Sequence, residues 1–108
     1  VEVVMSVKVE LSELGEAMGH HDYAFLVCLG DERPHVLGVR PRLDGDRLLV
    51  DRIGSTATRL VGEHRGVTLV FPPREAGDRS LLVDGTVAEI GDGELVVTPE
   101  AAVLHRPA

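Results

Sequence analysis

Between Arg33 and Phe71 the chain reads RPHVLGVRPRLDGDRLLVDRIGSTATRLVGEHRGVTLVF, and the order of signals along it decides the fold. His35 to Leu43 is a strand pattern in which Pro41 limits regular pairing to an edge or a bulge. Asp44-Gly45-Asp46 is a hairpin turn, because glycine accepts the positive φ of tight connections. Arg47 to Ile53 is the returning strand. Gly54-Ser55-Thr56-Ala57-Thr58-Arg59 follows, a run of small hydroxyl residues closed by a cation where a helix begins. Ser55 or Thr56 caps that helix, expected from Ala57 to His64 with Leu60 and Val61 as packing residues, and Gly66 ends it. Val67 to Phe71 is a buried strand stopped by Pro72-Pro73, which remove two backbone donors. A helix start of this composition can hold a phosphate; the plainer reading is an ordinary helix cap.

Outward from this stretch the same signals recur. Toward the N-terminus, Val3 to Val9 alternates as a half-buried strand, and Ser12 caps a short helix from Glu13 to Met18 that stops at Gly19. Tyr23 to Leu29 is nearly all apolar and reads as a strand buried on both faces. Toward the C-terminus, Ser80 to Ile90 is the longest strand, interrupted at Asp84-Gly85 by an expected bulge or bend. Gly91-Asp92-Gly93 turns into a strand from Glu94 to Thr98, Pro99 opens a turn of helix through Ala102, and Val103 to Pro107 forms a closing tail. Six or seven strands joined mostly by hairpins, with two short helices, predict a mainly β fold, an antiparallel barrel, occupying residues 1–108 as one domain.

Composition narrows the function classes. Apolar residues are 44% of the chain and charged ones 27%, enough for a core, but aromatics are only 3%, too few for a base-stacking platform. A net charge of -7 argues against nucleic-acid binding, which depends on cationic neutralisation of phosphates. Arginines at 40, 42, 52 and 59 nevertheless allow a locally positive pocket. Cys28 is the only cysteine and sits among apolar neighbours, so a disulfide is excluded and a buried thiol expected. No apolar run reaches the roughly twenty residues of a membrane helix and no signal peptide is visible, so no membrane partner and a cytoplasmic location are expected. His20-His21-Asp22 lacks a third ligand at suitable spacing, and His35 and His64 read as structural, so no metal site is expected. The tail residues His105 and Arg106 are solvated, or else reach a ligand across a partner chain. No Ser-His-Asp set, carboxylate pair or P-loop is legible, and no catalytic residue is assigned.

The ordered set of a Gly-rich turn, Arg33-Pro34-His35-Val36, an Asp-Gly hairpin, a Ser-bearing turn into a helix, and Val67-Thr68-Leu69-Val70-Phe71, followed by Asp84-Gly85-Thr86-Val87-Ala88, resembles the pyridoxamine 5'-phosphate oxidase-like family. The resemblance implies the flavin-binding split barrel, a homodimer, and flavin mononucleotide (FMN) at its interface. Carried over by position, Val36, Leu37, Gly38 and Val39 would run beside the ring or ribityl chain, with Arg40 as the basic residue ending that strand. Leu49, Val50 and Asp51 would form a second wall, and Ser55, Thr56, Thr58 and Arg59 would face the phosphate. Oxidoreductase chemistry on a small molecule is implied, with a deazaflavin or haem as related occupants of the cleft. The oxidases carry a basic pair directly after the serine, where this chain has Thr56 and Ala57, and pyridoxamine-phosphate oxidation is not expected. The alternative is a non-enzymatic split-barrel module, for ligand binding or interaction, that has lost tight flavin binding.

Overall fold

Alternating apolar and polar positions become strands whose inward side chains share one core. The structure is a computed structural model that describes residues 5–107. The elements run β1 (Ser6–Val9), a 3-10 turn (Leu11–Glu13), α1 (Leu14–Met18), β2 (Ala24–Cys28), β3 (His35–Val39), β4 (Arg42–Asp44), β5 (Arg47–Val50), α2 (Gly54–Glu63), β6 (Gly66–Phe71), β7 (Ser80–Gly91) and β8 (Glu94–His105). They form one curled antiparallel sheet in the order β3-β2-β6-β7-β8-β5-β4. The long strand β8 divides one edge between two partners: Leu95 to Val97 pair with β5, and Ala102 to His105 pair with β1. Strands β3 and β4 end the path, and the sheet is a split barrel.

Inside the curl lie Leu26, Leu48, Leu69, Leu81, Leu95, Val50, Val83 and Val97, each no more than 1% exposed. Helix α2 adds Ala57, Leu60 and Val61, spaced as one face of a helix. No buried polar or charged residue is found among the described residues, so the core gains its stability from aliphatic burial.

The structure corrects several local expectations. The stretch from His35 to Leu43 is two strands, because Arg40 and Pro41 break it and the chain leaves one end of the sheet for the other. Tyr23 to Leu29 is buried on one face only, with Phe25 exposed between the fully buried Ala24 and Leu26. The helix begins at Gly54 and ends at Glu63 without a side-chain cap; buried Ile53 precedes it, and neither Ser55 nor Thr56 caps it. Ser12 lies in the 3-10 turn, and α1 starts only at Leu14 after an uncapped Glu13.

Pro99 to Ala102 is strand, not helix, and the reason lies in the pairing. Gly85 stands opposite Pro99 and Asp84 opposite Ala101, leaving Glu100 as the extra residue of a bulge, a position that tolerates the missing proline donor. The expected irregularity at Asp84-Gly85 is this register shift, with a second one between Val87 and Glu89. The first strand is seen from Ser6; Val3 and Val4 of its expected span lie outside the described residues. The tail expected from Val103 is paired strand as far as His105.

Candidate functional site

Because β3 and β4 end the sheet, β3 has a strand neighbour on one side only among the described residues. The C-terminal half of β3 and the exit of β5 together border a cleft of about 590 Å³ lined by Tyr23, Gly38, Val39, Arg40, Asp51 and Arg52. That volume is within the usual range for small-molecule sites. A Cβ placed on Gly38 would meet nothing within 4 Å, so the strand surface there is open.

The turn that carries Arg52 has an unusual backbone. Arg52 has φ 58 and Gly54 φ 80, so two left-handed residues flank Ile53, whose side chain is only 3% exposed. A left-handed arginine is uncommon, and strain of this kind gathers at functional sites. Ile53 N donates to Gly93 O at 3.4 Å, tying the turn to the β7–β8 hairpin.

Charge is distributed unevenly around the cleft. Arg42, Arg47, Arg59 and Arg74 each have a carboxylate partner. Among the described residues Arg40 and Arg52 have none, and no side-chain hydrogen bond engages either guanidinium. Asp51 is met by Arg42 at 3.6 Å. A hydrogen bond with Asp51, and then the repulsion of its charge, pushes the Glu94 carboxyl above the ordinary carboxylate range, while Arg42 opposes the rise. The cleft therefore presents two uncommitted planar cations, suited to an oxyanion such as a phosphate.

The residues singled out in the sequence are only partly brought together. Gly38, Val39, Arg40 and Asp51 line the cleft. Val36 is exposed further along β3, and Leu37 and Leu49 are half-buried. Val50 is fully buried, so any contact it makes with a ligand is through its backbone. Ser55 and Thr56 are exposed in the first turn of α2, and Thr58 Oγ1 donates to Gly54 O at 2.6 Å. Arg59 bonds Glu63 at 3.3 Å and lines a separate hollow with Asp31 and His35. Tyr23 and Arg52 are the additions. Arg52 belonged to the arginine cluster visible in the sequence, but its left-handed backbone carried no glycine signal.

No protein-family model matches the chain. The uncharacterized protein Mb0449c of Mycobacterium bovis and the uncharacterized protein MT0457 of Mycobacterium tuberculosis are each 32% identical to it over 117 residues, covering 94% of this chain and 82% of theirs. Among solved structures, an FAD-binding protein from Mesorhizobium loti is similar with a TM-score of 0.69 at 12% identity, over 94% of this chain and 99% of that one. A candidate pyridoxamine 5'-phosphate oxidase from Listeria innocua gives 0.68 at 14% identity, over 87% and 96%. An F420 reductase gives 0.64 at 17% identity, over 81% and 94%.

Proposed function

This chain belongs to the family of the two mycobacterial proteins and has the pyridoxamine 5'-phosphate oxidase-like split-barrel fold, and on that premise we propose that it binds a flavin-type cofactor, FMN foremost, in the cleft beside β3. The observation that carries the reading is the pair Arg40 and Arg52, both without an ionic partner among the described residues and both on the same cleft. Solved split barrels of this shape include an FAD-binding protein and an F420 reductase, which supports a flavin-type cofactor.

The donor set fits such a group. Two guanidiniums supply charge-assisted donors for a phosphate, Tyr23 and Val39 supply apolar surface, and the free edge of β3 leaves backbone groups for the polar rim of a planar ring. When bound, the flavin supplies the electron-transfer chemistry, and the chain supplies placement and charge. Neither a nucleophile nor a general base is needed from the protein. The function that follows is an oxidoreductase acting on a small molecule that reaches the exposed side of the cleft.

A homodimer belongs to the same proposal, with residues 1–108 as one domain of each copy. Tyr23, Phe25 and Val36 are 41%, 37% and 52% exposed beside the cleft, and a second copy would cover them. A second reading has an observation of its own: Arg59 is held by Glu63 away from the cleft, and this favours a split barrel that no longer binds flavin tightly. The absorbance spectrum of the purified protein, with titration of FMN, FAD and F420 fluorescence, separates the two. A yellow or quenching protein supports the cofactor reading; a colourless one that quenches none of the three overturns it.

A further inference from the structure

On the far side of α2 from its first turn, the chain brings together three metal-ligating side chains that lie far apart in sequence. Asp31 belongs to the turn after β2, while Glu63 and His64 close α2; each offers one ligand atom, and these atoms lie within 4.8 Å of one another. His64 leaves the helix in an extended conformation, φ -129 and ψ 102, and its Nε2 stands 3.6 Å from Asp31 Oδ1. That is beyond hydrogen-bonding distance. Nε2 is withdrawn from solvent and has no hydrogen-bond partner, so a buried ring nitrogen is left uncompensated. The His64 side chain as a whole is 38% exposed, so it is the Nε2 atom alone that is withdrawn from water.

We propose that Asp31, Glu63 and His64 form a binding site for a first-row divalent transition-metal ion, Zn²⁺ foremost, with water in the remaining position. One imidazole and two carboxylates are a borderline donor set; the nitrogen favours zinc and its neighbours over magnesium or calcium, which take oxygen ligands. His64 is the anchor. Coordination lengths of about 2.0 to 2.2 Å require the two carboxylates to close in, and neither is locked by packing, with side chains 72% exposed at Asp31 and 46% at Glu63. Glu63 now accepts from Arg59 Nη1 at 3.3 and 3.4 Å, so the ion competes with Arg59 for this carboxylate. None of the three residues lines the cleft beside β3, and the site stands whether or not that cleft holds a flavin. A bound ion would tie the β2–β3 turn to the end of α2.

Chelator-treated protein titrated with Zn²⁺ alone, against a competing zinc indicator, tests the assignment. One ion per chain is expected, with a rise in the melting temperature on saturation. His64→Ala weakens binding by about tenfold or more, since even partners of metal ligands cost that much. Asp31→Asn, an isosteric change at an exposed turn position, weakens it as well, and carries the test if His64→Ala does not fold. Arg59→Ala tightens binding by freeing Glu63. The His20→Ala, His21→Ala double variant binds as the parent does. Wild-type affinity in Asp31→Asn or in His64→Ala overturns the site, as does a loss that follows the His20 and His21 changes instead. Unchanged or weaker binding in Arg59→Ala removes Glu63 from the ligand set.

Discussion

Val39 and Arg42 are three positions apart in the chain yet stand in strands at opposite ends of the sheet, Val39 opposite Ala24 of β2 and Arg42 opposite Leu49 of β5. The residues joining them are Arg40 and Pro41, so one of the two cations on the cleft is carried on the link itself. Replacing Arg40 or Arg52 with alanine should weaken flavin binding by roughly 1.5 to 3 kcal/mol each, the usual worth of a charged hydrogen bond. Arg59→Ala should leave it unchanged, because Arg59 faces Glu63. Fluorescence titration of the three variants checks the ranking, and a loss confined to Arg59 would move the phosphate to the start of α2.

The interface is tested separately. Phe25→Asp places a charge on the exposed face of β2 without touching the core, since its neighbours Ala24 and Leu26 carry the burial there. Sedimentation should show a dimer for the parent chain and a monomer for the variant. A parent that sediments as a monomer removes the dimeric cleft.

The bulge predicts a stability effect. A Cβ on Gly85 would lie 2.7 Å from Thr98 O and 2.7 Å from Val97 Cγ1, both held by the β7–β8 ladder. Gly85→Ala should therefore cost roughly 1 to 3 kcal/mol, the range of an overpacked core, read from denaturant unfolding. Gly38→Ala, where a Cβ has open space, should cost far less.

Glu94 gives a pH signature with a definite sign. Its folded pKa is raised, so the folded chain holds the proton more tightly than the unfolded chain. Stability from this group therefore falls as pH rises through the window between its ordinary and raised values. Glu94→Gln should raise the melting temperature at pH 7, and the advantage should vanish below about pH 4, where the parent carboxyl is protonated in both states. An equal gain at both pH values would remove the Asp51–Glu94 contact as its cause.

Cys28 is fully buried, and burial pushes its thiol pKa up. A thiol reagent should label the native protein only as fast as the sheet opens, and promptly in denaturant. Prompt labelling of the native chain would contradict the packing around β2.

The barrel was legible because its punctuation is chemical: Gly45, Gly93 and Pro72-Pro73 stop or reverse strands wherever they occur, and the alternation between them shows which residues share a face. Less could be read where two segments compete. Pro99 looks like a helix opener until the long partner β7 makes it the tolerant member of a bulge. The Ser55 to Arg59 run looks like a capped phosphate turn until buried Ile53 draws the helix start one turn earlier, which leaves the hydroxyls within the helix. The four-arginine cluster announced a positive site without saying which members face it; that depended on which carboxylates folded against Arg42 and Arg59. His64 gave no sign at all, because its neighbour Asp31 is thirty-three positions away.

The link through Arg40 and Pro41 works as a clasp. Three peptide steps reach at most about 11 Å, and a proline restrains both its own torsion and that of the residue before it. Covalent length thus caps the breadth of the gap at this end of the barrel, independently of how well the interior is packed. Repacking the core could deepen or flatten the cleft without widening it there; a longer connection in place of Arg40-Pro41 is the change that would admit a bulkier guest.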